Sequence, residues 1–147
     1  MSNVRAFLDM LAVSEGTADH GDDGYNVIVG GELFHSYADH PRVLVTLNRK
    51  GLKSTAAGRY QFLARTWDAL AARLGLHDFS PRNQDLAAIE LIRERHALDD
   101  VNAGRFDAAV TKCAPIWASL PGAGYGQRER SLVDLRKAYV AAGGIMS

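Results

Sequence analysis

Glu15 is the residue whose position carries the most chemical information. It stands at the end of an apolar-periodic helix, immediately before Gly16, a natural stop signal. The partial negative charge at a helix C-terminus disfavours a carboxylate by roughly 0.3–1 kcal/mol, so a scaffold with no other demand on it favours Lys or Arg there. The same field favours the protonated acid, and burial beside aromatic rings pushes the same way. A carboxyl that stays protonated near neutral pH can serve as a general acid. The alternative is an exposed, slightly unfavourable surface glutamate.

Two further groups could meet a ligand. Ser54, Thr55, Arg59, Tyr60 and Gln61 surround Gly58 at a loop-to-helix junction. Tyr125 and Gln127 lie in a second glycine-rich stretch, PGAGYG, and its continuation. Flat aromatic faces and neutral amides suit sugars, which offer apolar C–H faces and many hydroxyls; ordinary loop polarity is the alternative for each. GYGQ also fits a stacking loop for nucleic acid, but the charge balance argues against it. Trp67 and Trp117 read as core.

Other chemistries fail on spacing. In the acidic loop TADHGDDG, Asp19 and Gly24 match positions 1 and 6 of a calcium loop, but position 12 falls on Gly30 rather than Glu. His20, His35, His40, His77 and His96 form no HExxH pair, and no second cysteine exists for a zinc cluster. Neither a metal nor a cofactor is expected. Cys113 sits on an apolar face and reads as core. There is no GxSxG and no P-loop.

The elements that position these residues follow from periodicity. Asn3 is read as an N-cap, followed by Val4, Phe7, Leu8, Leu11 and Ala12 on one helical stripe. Residues 25–29 and 32–34 read as strands joined at Gly30-Gly31, and 44–47 as a third strand. Residues 48–58 read as a polar loop. A helix is expected over 60–74, then one from Ser80-Pro81 to about His96. Shorter helices are expected near 98–103 and 106–113, a turn over 116–120, and a closing helix over 129–142. This is an α+β plan: a small antiparallel β-sheet lobe plus a helical lobe, an arrangement that leaves a cleft between them.

The 147 residues suit one domain. With 47% hydrophobic and 23% charged residues, the chain falls outside disordered, collagenous and coiled-coil classes. Seventeen basic and seventeen acidic residues cancel, so global charge gives no argument for nucleic acid or an anionic membrane. A lone cysteine points to a reducing compartment. No apolar run approaches the ~20 residues of a bilayer span, and the opening MSNVRAFLDMLAVSEGT lacks the apolar stretch of a signal peptide. The expected product is made in the cytoplasm without a Sec-type address.

The blocks AFLDMLAVSEGT, GYNVIVGGELF, HPRVLVTLN, LKSTAAGRYQFL, FSPRNQD and IWASLPGAGYGQ, in that order, resemble the lambda-type phage endolysin family, the lambda lysozymes. The similarity runs from about Ala6 to Gly144. The segment Asp19–Gly24 is shorter than its family counterpart and differs from it. The resemblance implies a lysozyme-like fold with the active cleft between its lobes, and a peptidoglycan lytic transglycosylase. It places the catalytic acid on Glu15 of the SEGT block. It implies two mobile lips over the glycan, here roughly 43–53 and 121–130. It implies Lys53, Ser54, Gln61, Tyr125 and Gln127 as substrate-binding residues, with Gln61 facing the cleft near Glu15.

The T-even phage lysozymes place an Asp nine positions after the catalytic Glu and a Thr six further on; those positions here are Gly24 and Gly30. Asp22 and Asp23 lie close to the first offset but not on it. A hydrolase normally needs two carboxylates. A transglycosylase needs one, because the C6 hydroxyl of the muramoyl ring replaces water. The implied partners are glycan strands of peptidoglycan and a separate membrane-permeabilising protein. Such an enzyme is a monomer held in the host cytoplasm until it reaches the periplasm. A hydrolytic muramidase on the same fold, and a non-catalytic peptidoglycan-binding module, are the competing expectations.

Overall fold

The computed structural model describes residues 2–124 and 129–147. Its elements run α1 (Asn3–Glu15), β1 (Val45–Thr46), β2 (Lys53–Ser54), α2 (Ala64–Leu74), α3 (Pro81–Glu94), α4 (Leu98–Ala103), α5 (Phe106–Cys113) and α6 (Leu132–Ala141). The chain divides into two compact units. One comprises Met1–Gly16 with Ala88–Ser147, the other Thr17–Ala87. Among the described residues no helix is long and apolar enough to cross a membrane.

In the first unit α1 is the central helix. Ala6, Phe7, Leu8, Met10, Leu11 and Ala12 are all buried, more than the single stripe expected from spacing. α6 and α4 pack against it. Phe7 meets Phe106 edge-on with ring centroids 6.0 Å apart, and Phe106 lies 4.7 Å from Tyr139 of α6. Cys113 and Trp117 are core, as expected. Ser2, not Asn3, caps α1, accepting from the Arg5 N–H. The Asn3 side chain is used elsewhere: it accepts from the Ile145 N–H and donates to the Ile145 and Asn102 carbonyls. α4 and α5 are clamped by Asp100, which takes Arg105 Nε at 2.7 Å and Lys112 Nζ at 2.6 Å.

The second unit holds the β structure. The expected strands at 25–29 and 32–34 are reduced to single antiparallel bridges, Val27 with Leu33 and Ile28 with Ala57. The turn at Gly30-Gly31 is formed, with the Ile28 N–H on the Glu32 carbonyl and the Gly31 N–H on the Ile28 carbonyl. The expected third strand shrinks to β1. It pairs with β2, which lies inside the segment read as loop: Val45 opposes Ser54 and Thr46 opposes Lys53. The helix expected from residue 60 begins only at Ala64. Phe62 is held in a bridge with Ala57, and Gln61 is left-handed at φ 54°. That bridge sends the Phe62 ring into an aromatic core with Trp67 at 5.5 Å, and Trp67 meets Phe79 at 4.6 Å. Packing overrides helical propensity here.

Gln84 of α3 ties this unit together while fully buried. Its Oε1 accepts from the Arg59 N–H at 2.9 Å, and its Nε2 donates to the Tyr25 and Phe79 carbonyls. Gly58 makes room for it: φ is 84°, and a Cβ there would lie 2.4 Å from Gln84 Oε1. His40 is also buried and satisfied. Its Nε2 donates to the Phe62 carbonyl and its Nδ1 accepts from the Arg42 N–H, which makes it the neutral Nε2–H tautomer. Burial holds its pKa below the usual value.

Gln84→Ala removes the side-chain hydrogen bonds to three buried backbone groups and is expected to cost about 2–4 kcal/mol of unfolding free energy. Urea unfolding of the variant measures it, and a loss near zero would remove Gln84 from this role. Gly58→Ala is expected to be destabilised as well, because it combines a strained φ with the clash on Gln84.

Candidate active site

α1 delivers Glu15 and stops there. Gly16 adopts φ 77°, and its N–H reaches the Ala12 and Val13 carbonyls, the usual closure for a helix that must end sharply. No basic side chain stands in the last turn of α1. The cation comes instead from Arg130, whose Nε donates to the Ser14 carbonyl at 3.2 Å. Arg130 thus caps an orphan carbonyl and offsets the negative end of the helix.

The Glu15 carboxyl is held through a hydroxyl. Ser119 donates to Glu15 Oε2. The Ser14 and Ser119 hydroxyl oxygens are 2.7 Å apart. With the Ser119 proton on Glu15, Ser14 is the donor to Ser119. The Ser119 carbonyl accepts from the Arg130 N–H at 2.7 Å. Four residues therefore close a ring of contacts: Glu15, Ser119, Arg130 and Ser14. Burial raises the Glu15 pKa to about 7, while the Ser119 hydrogen bond and the Arg130 charge pull against that rise. Glu15 nevertheless keeps intermediate exposure, so the group is crowded by protein yet open to a ligand. This is a carboxyl that can hold a proton at neutral pH and release it.

The remaining expected binding residues belong to the second unit or lie outside the described residues. Lys53 is exposed on β2 and Ser54 is half-buried beside it, its Oγ accepting from the Ala56 N–H. Gln61 is half-buried, and its Nε2 donates to the Val27 and Gly58 carbonyls. Tyr125 and Gln127 lie outside the described residues. What is described of that loop is its frame: the Glu129 carboxylate accepts from the Gly122 N–H at 3.0 Å and the Gly124 N–H at 3.1 Å.

Two residues read as sugar-facing have another occupation. Arg59 and Tyr60 are buried, so neither can present a face to a glycan. Arg59 Nε donates to the Asp23 carbonyl and its Nη2 to Asp23 Oδ2, and Tyr60 and Tyr25 both donate to Asp85 Oδ1. Thr55 accepts from the Ala64 N–H and so starts α2. Asp22 and Asp23, the carboxylates nearest the offset used by two-acid lysozymes, are committed to the loop. Asp22 takes the Tyr37 hydroxyl at 2.6 Å, and Asp23 takes Arg59 and the Asp19 N–H. Among the described residues no group of three His, Cys, Asp or Glu side chains could hold a metal ion.

No local pattern in the sequence singles out Ser14, Ser119 or Arg130. Ser119 is 104 positions from Glu15 and Arg130 is 116 from Ser14. No local spacing rule reaches that far. The one available hint was the unfavourable carboxylate itself, which calls for a compensating cation from somewhere.

The chain has relatives among known proteins. A family model described as Endolysin matches residues 5–146. The endolysin of Escherichia phage P2 is 55% identical over 155 aligned positions, covering 97% of this chain and 94% of that protein. The endolysin of Escherichia phage lambda is 57% identical, covering 95% and 90%. The structure of bacteriophage lambda lysozyme complexed with a chitohexasaccharide superposes with a TM-score of 0.96 at 55% identity, covering 100% of this chain and 98% of that one. A second structure of the lysozyme from bacteriophage lambda gives 0.91 at 53%, with the same coverage. The α+β reading thus holds as the lambda lysozyme fold, and the chain belongs to the endolysin family.

Proposed function

We propose that this chain cleaves the β-1,4 bond between N-acetylmuramic acid and N-acetylglucosamine in peptidoglycan by lytic transglycosylation, with Glu15 as its catalytic residue. The observation that carries the reading is the Glu15 carboxyl: crowded, hydroxyl-anchored and ligand-accessible at the end of α1 in an endolysin-family chain. The relative bound to a chitohexasaccharide supports an aminosugar chain as the ligand class.

In the first step Glu15 gives its proton to the glycosidic oxygen. The C–O electron pair leaves with the N-acetylglucosamine side, and positive charge builds on the anomeric carbon of the muramoyl ring. The N-acetyl carbonyl of that ring helps to stabilise it. In the second step the Glu15 carboxylate takes the proton of the C6 hydroxyl of the same ring, and that oxygen bonds to the anomeric carbon. The product is a 1,6-anhydromuramoyl end, and Glu15 is again protonated. The nucleophile is already attached, so the step gains the large effective molarity of an intramolecular reaction. One carboxyl suffices, which fits the commitment of Asp22 and Asp23 to the loop.

Lys53, Ser54, Gln61, Tyr125 and Gln127 are proposed to bind the glycan, and the 147 residues to work as one catalytic domain. A monomer waiting in the host cytoplasm, released to the periplasm by a separate membrane-permeabilising protein, completes the reading. A hydrolytic muramidase is the second reading; it would use water in the second step.

Mass spectrometry of digested peptidoglycan is expected to show anhydromuropeptides. Reducing ends carrying oxygen from labelled water would establish the hydrolase instead. Glu15→Gln is expected to retain the fold and glycan binding and to lose cell-wall lysis, read as turbidity of a wall suspension; lysis by this variant would move the acid elsewhere.

Two pH effects follow from a pKa of about 7 against an ordinary 4.5. The acid form disappears as pH rises through about 7, so activity should fall on the alkaline side of that value. Folding prefers the protonated group, so the wild-type protein loses stability as pH rises from the ordinary value through the raised one. Glu15→Gln should therefore be more stable than wild type at pH 8, with the difference shrinking toward pH 5. Urea midpoints at the two pH values measure it.

A further inference from the structure

We propose that Ser119 is a positioning residue for Glu15, fixing Oε2 so that the proton to be transferred resides on Oε1, and that Ser14 and Arg130 in turn hold Ser119 in place. The inference rests on the reading of Glu15 as the acid. It adds a second residue to the site and assigns the two carboxyl oxygens different tasks.

The argument starts from what a carboxyl can do. Its two oxygens are equivalent in water, and either can carry the proton. The Ser119 hydroxyl donates to Oε2, which makes Oε2 an acceptor and leaves Oε1 to bear the proton. The Ser119 hydroxyl has one proton to give, and its own oxygen is met by the Ser14 hydroxyl at 2.7 Å. The direction of the chain is therefore set: Ser14 to Ser119, and Ser119 to Glu15. A chain with one polarity aims the acid, and Oε1 carries out both transfers. It loses its proton to the glycosidic oxygen and regains one from the C6 hydroxyl. Throughout, the Ser119 hydrogen bond on Oε2 stabilises the charge left behind.

Ser119 itself is fixed from both sides. Trp117 and Leu120, its near neighbours in sequence, are buried. The Ser119 carbonyl accepts from the Arg130 N–H at 2.7 Å, and the Arg130 side chain returns to the Ser14 carbonyl at 3.2 Å. Arg130 so connects the backbone that carries Ser119 to the helix end that carries Glu15. Among the described residues the charged group that acts on Glu15 is this guanidinium. Ser119 has intermediate exposure, so its replacement by alanine opens no large cavity.

The test compares wild type with Ser119→Ala, Ser119→Thr, Ser14→Ala and Glu15→Gln. Cell-wall digestion gives the saturating rate and the half-saturating wall concentration over a pH series. A carbon-13 NMR titration follows the Glu15 carboxyl in the folded protein without reference to activity. Ser119→Ala is expected to lose about tenfold in the saturating rate, the size of one well-placed hydrogen bond, with half-saturation little changed. Its alkaline limb and its NMR midpoint should both move to higher pH, because a bond favouring the ionised form is gone. Ser119→Thr keeps the hydroxyl and should return both toward wild type. Ser14→Ala should move them in the same direction as Ser119→Ala, by less, and serves if Ser119→Ala fails to fold.

An unmoved NMR midpoint in both alanine variants overturns the inference. So does an equal rate loss in Ser119→Ala and Ser119→Thr, which would mark a packing role only. Lysis by Glu15→Gln would instead defeat the reading of Glu15 as the acid.

Discussion

A carboxyl group at the C-terminal end of a helix faces the wrong sign of field, and the first unit of this protein is arranged around that misfit. Carbonyl dipoles that α1 cannot avoid presenting disfavour the charge, and burial disfavours it most. This cost is countered by a guanidinium and a hydroxyl from a part of the chain more than a hundred residues later. Neither compensation is complete. Burial still outweighs both and leaves the pKa near 7. An incomplete balance is useful here: a fully stabilised carboxylate would hold no proton to donate, and a fully desolvated acid would not release one.

The location of Glu15 is fixed by packing more than by polar contacts. α1 is buried on more than one side, so it cannot rotate without moving Phe7 against Phe106 or Met10 within the core. The second unit solves a different problem. Its β structure is too small to be held by strand pairing alone, with two residues per strand and isolated bridges elsewhere. Buried polar groups take over that task. Gln84 satisfies three backbone groups, and Asp85 receives two tyrosine hydroxyls. This substitution of side chain for ladder explains why Arg59 and Tyr60 are inside.

Much of the helical plan was legible because it rests on local signals. The elements expected at 98–103 and 106–113 coincide with α4 and α5, and Gly16 ends α1 as its type suggested. The misreadings share a cause. Residues 60–63 have helical composition, yet the bridge from Phe62 to Ala57 and the aromatic core claim them. Asn3 looks like a cap, yet its amide is taken by Ile145, which no window around Asn3 contains. β2 leaves no local trace, because Lys53-Ser54 has no β pattern and pairs through its backbone. Glu15 could be singled out because its anomaly is local. Ser119 could not, because a serine before a leucine is unremarkable until the fold brings it to the acid.

The first unit is discontinuous, closed by Asn3 on Ile145 and by the Ser147 N–H on the Gly104 carbonyl. During translation α1 leaves the ribosome before α6, the helix it packs against, and must wait for it. Ser119 and Arg130 emerge later still than the whole of the second unit. Until they emerge, the Glu15 carboxyl has neither the hydroxyl that anchors it nor the guanidinium beside it. The acid acquires its altered strength only when distant parts of the chain have closed around it.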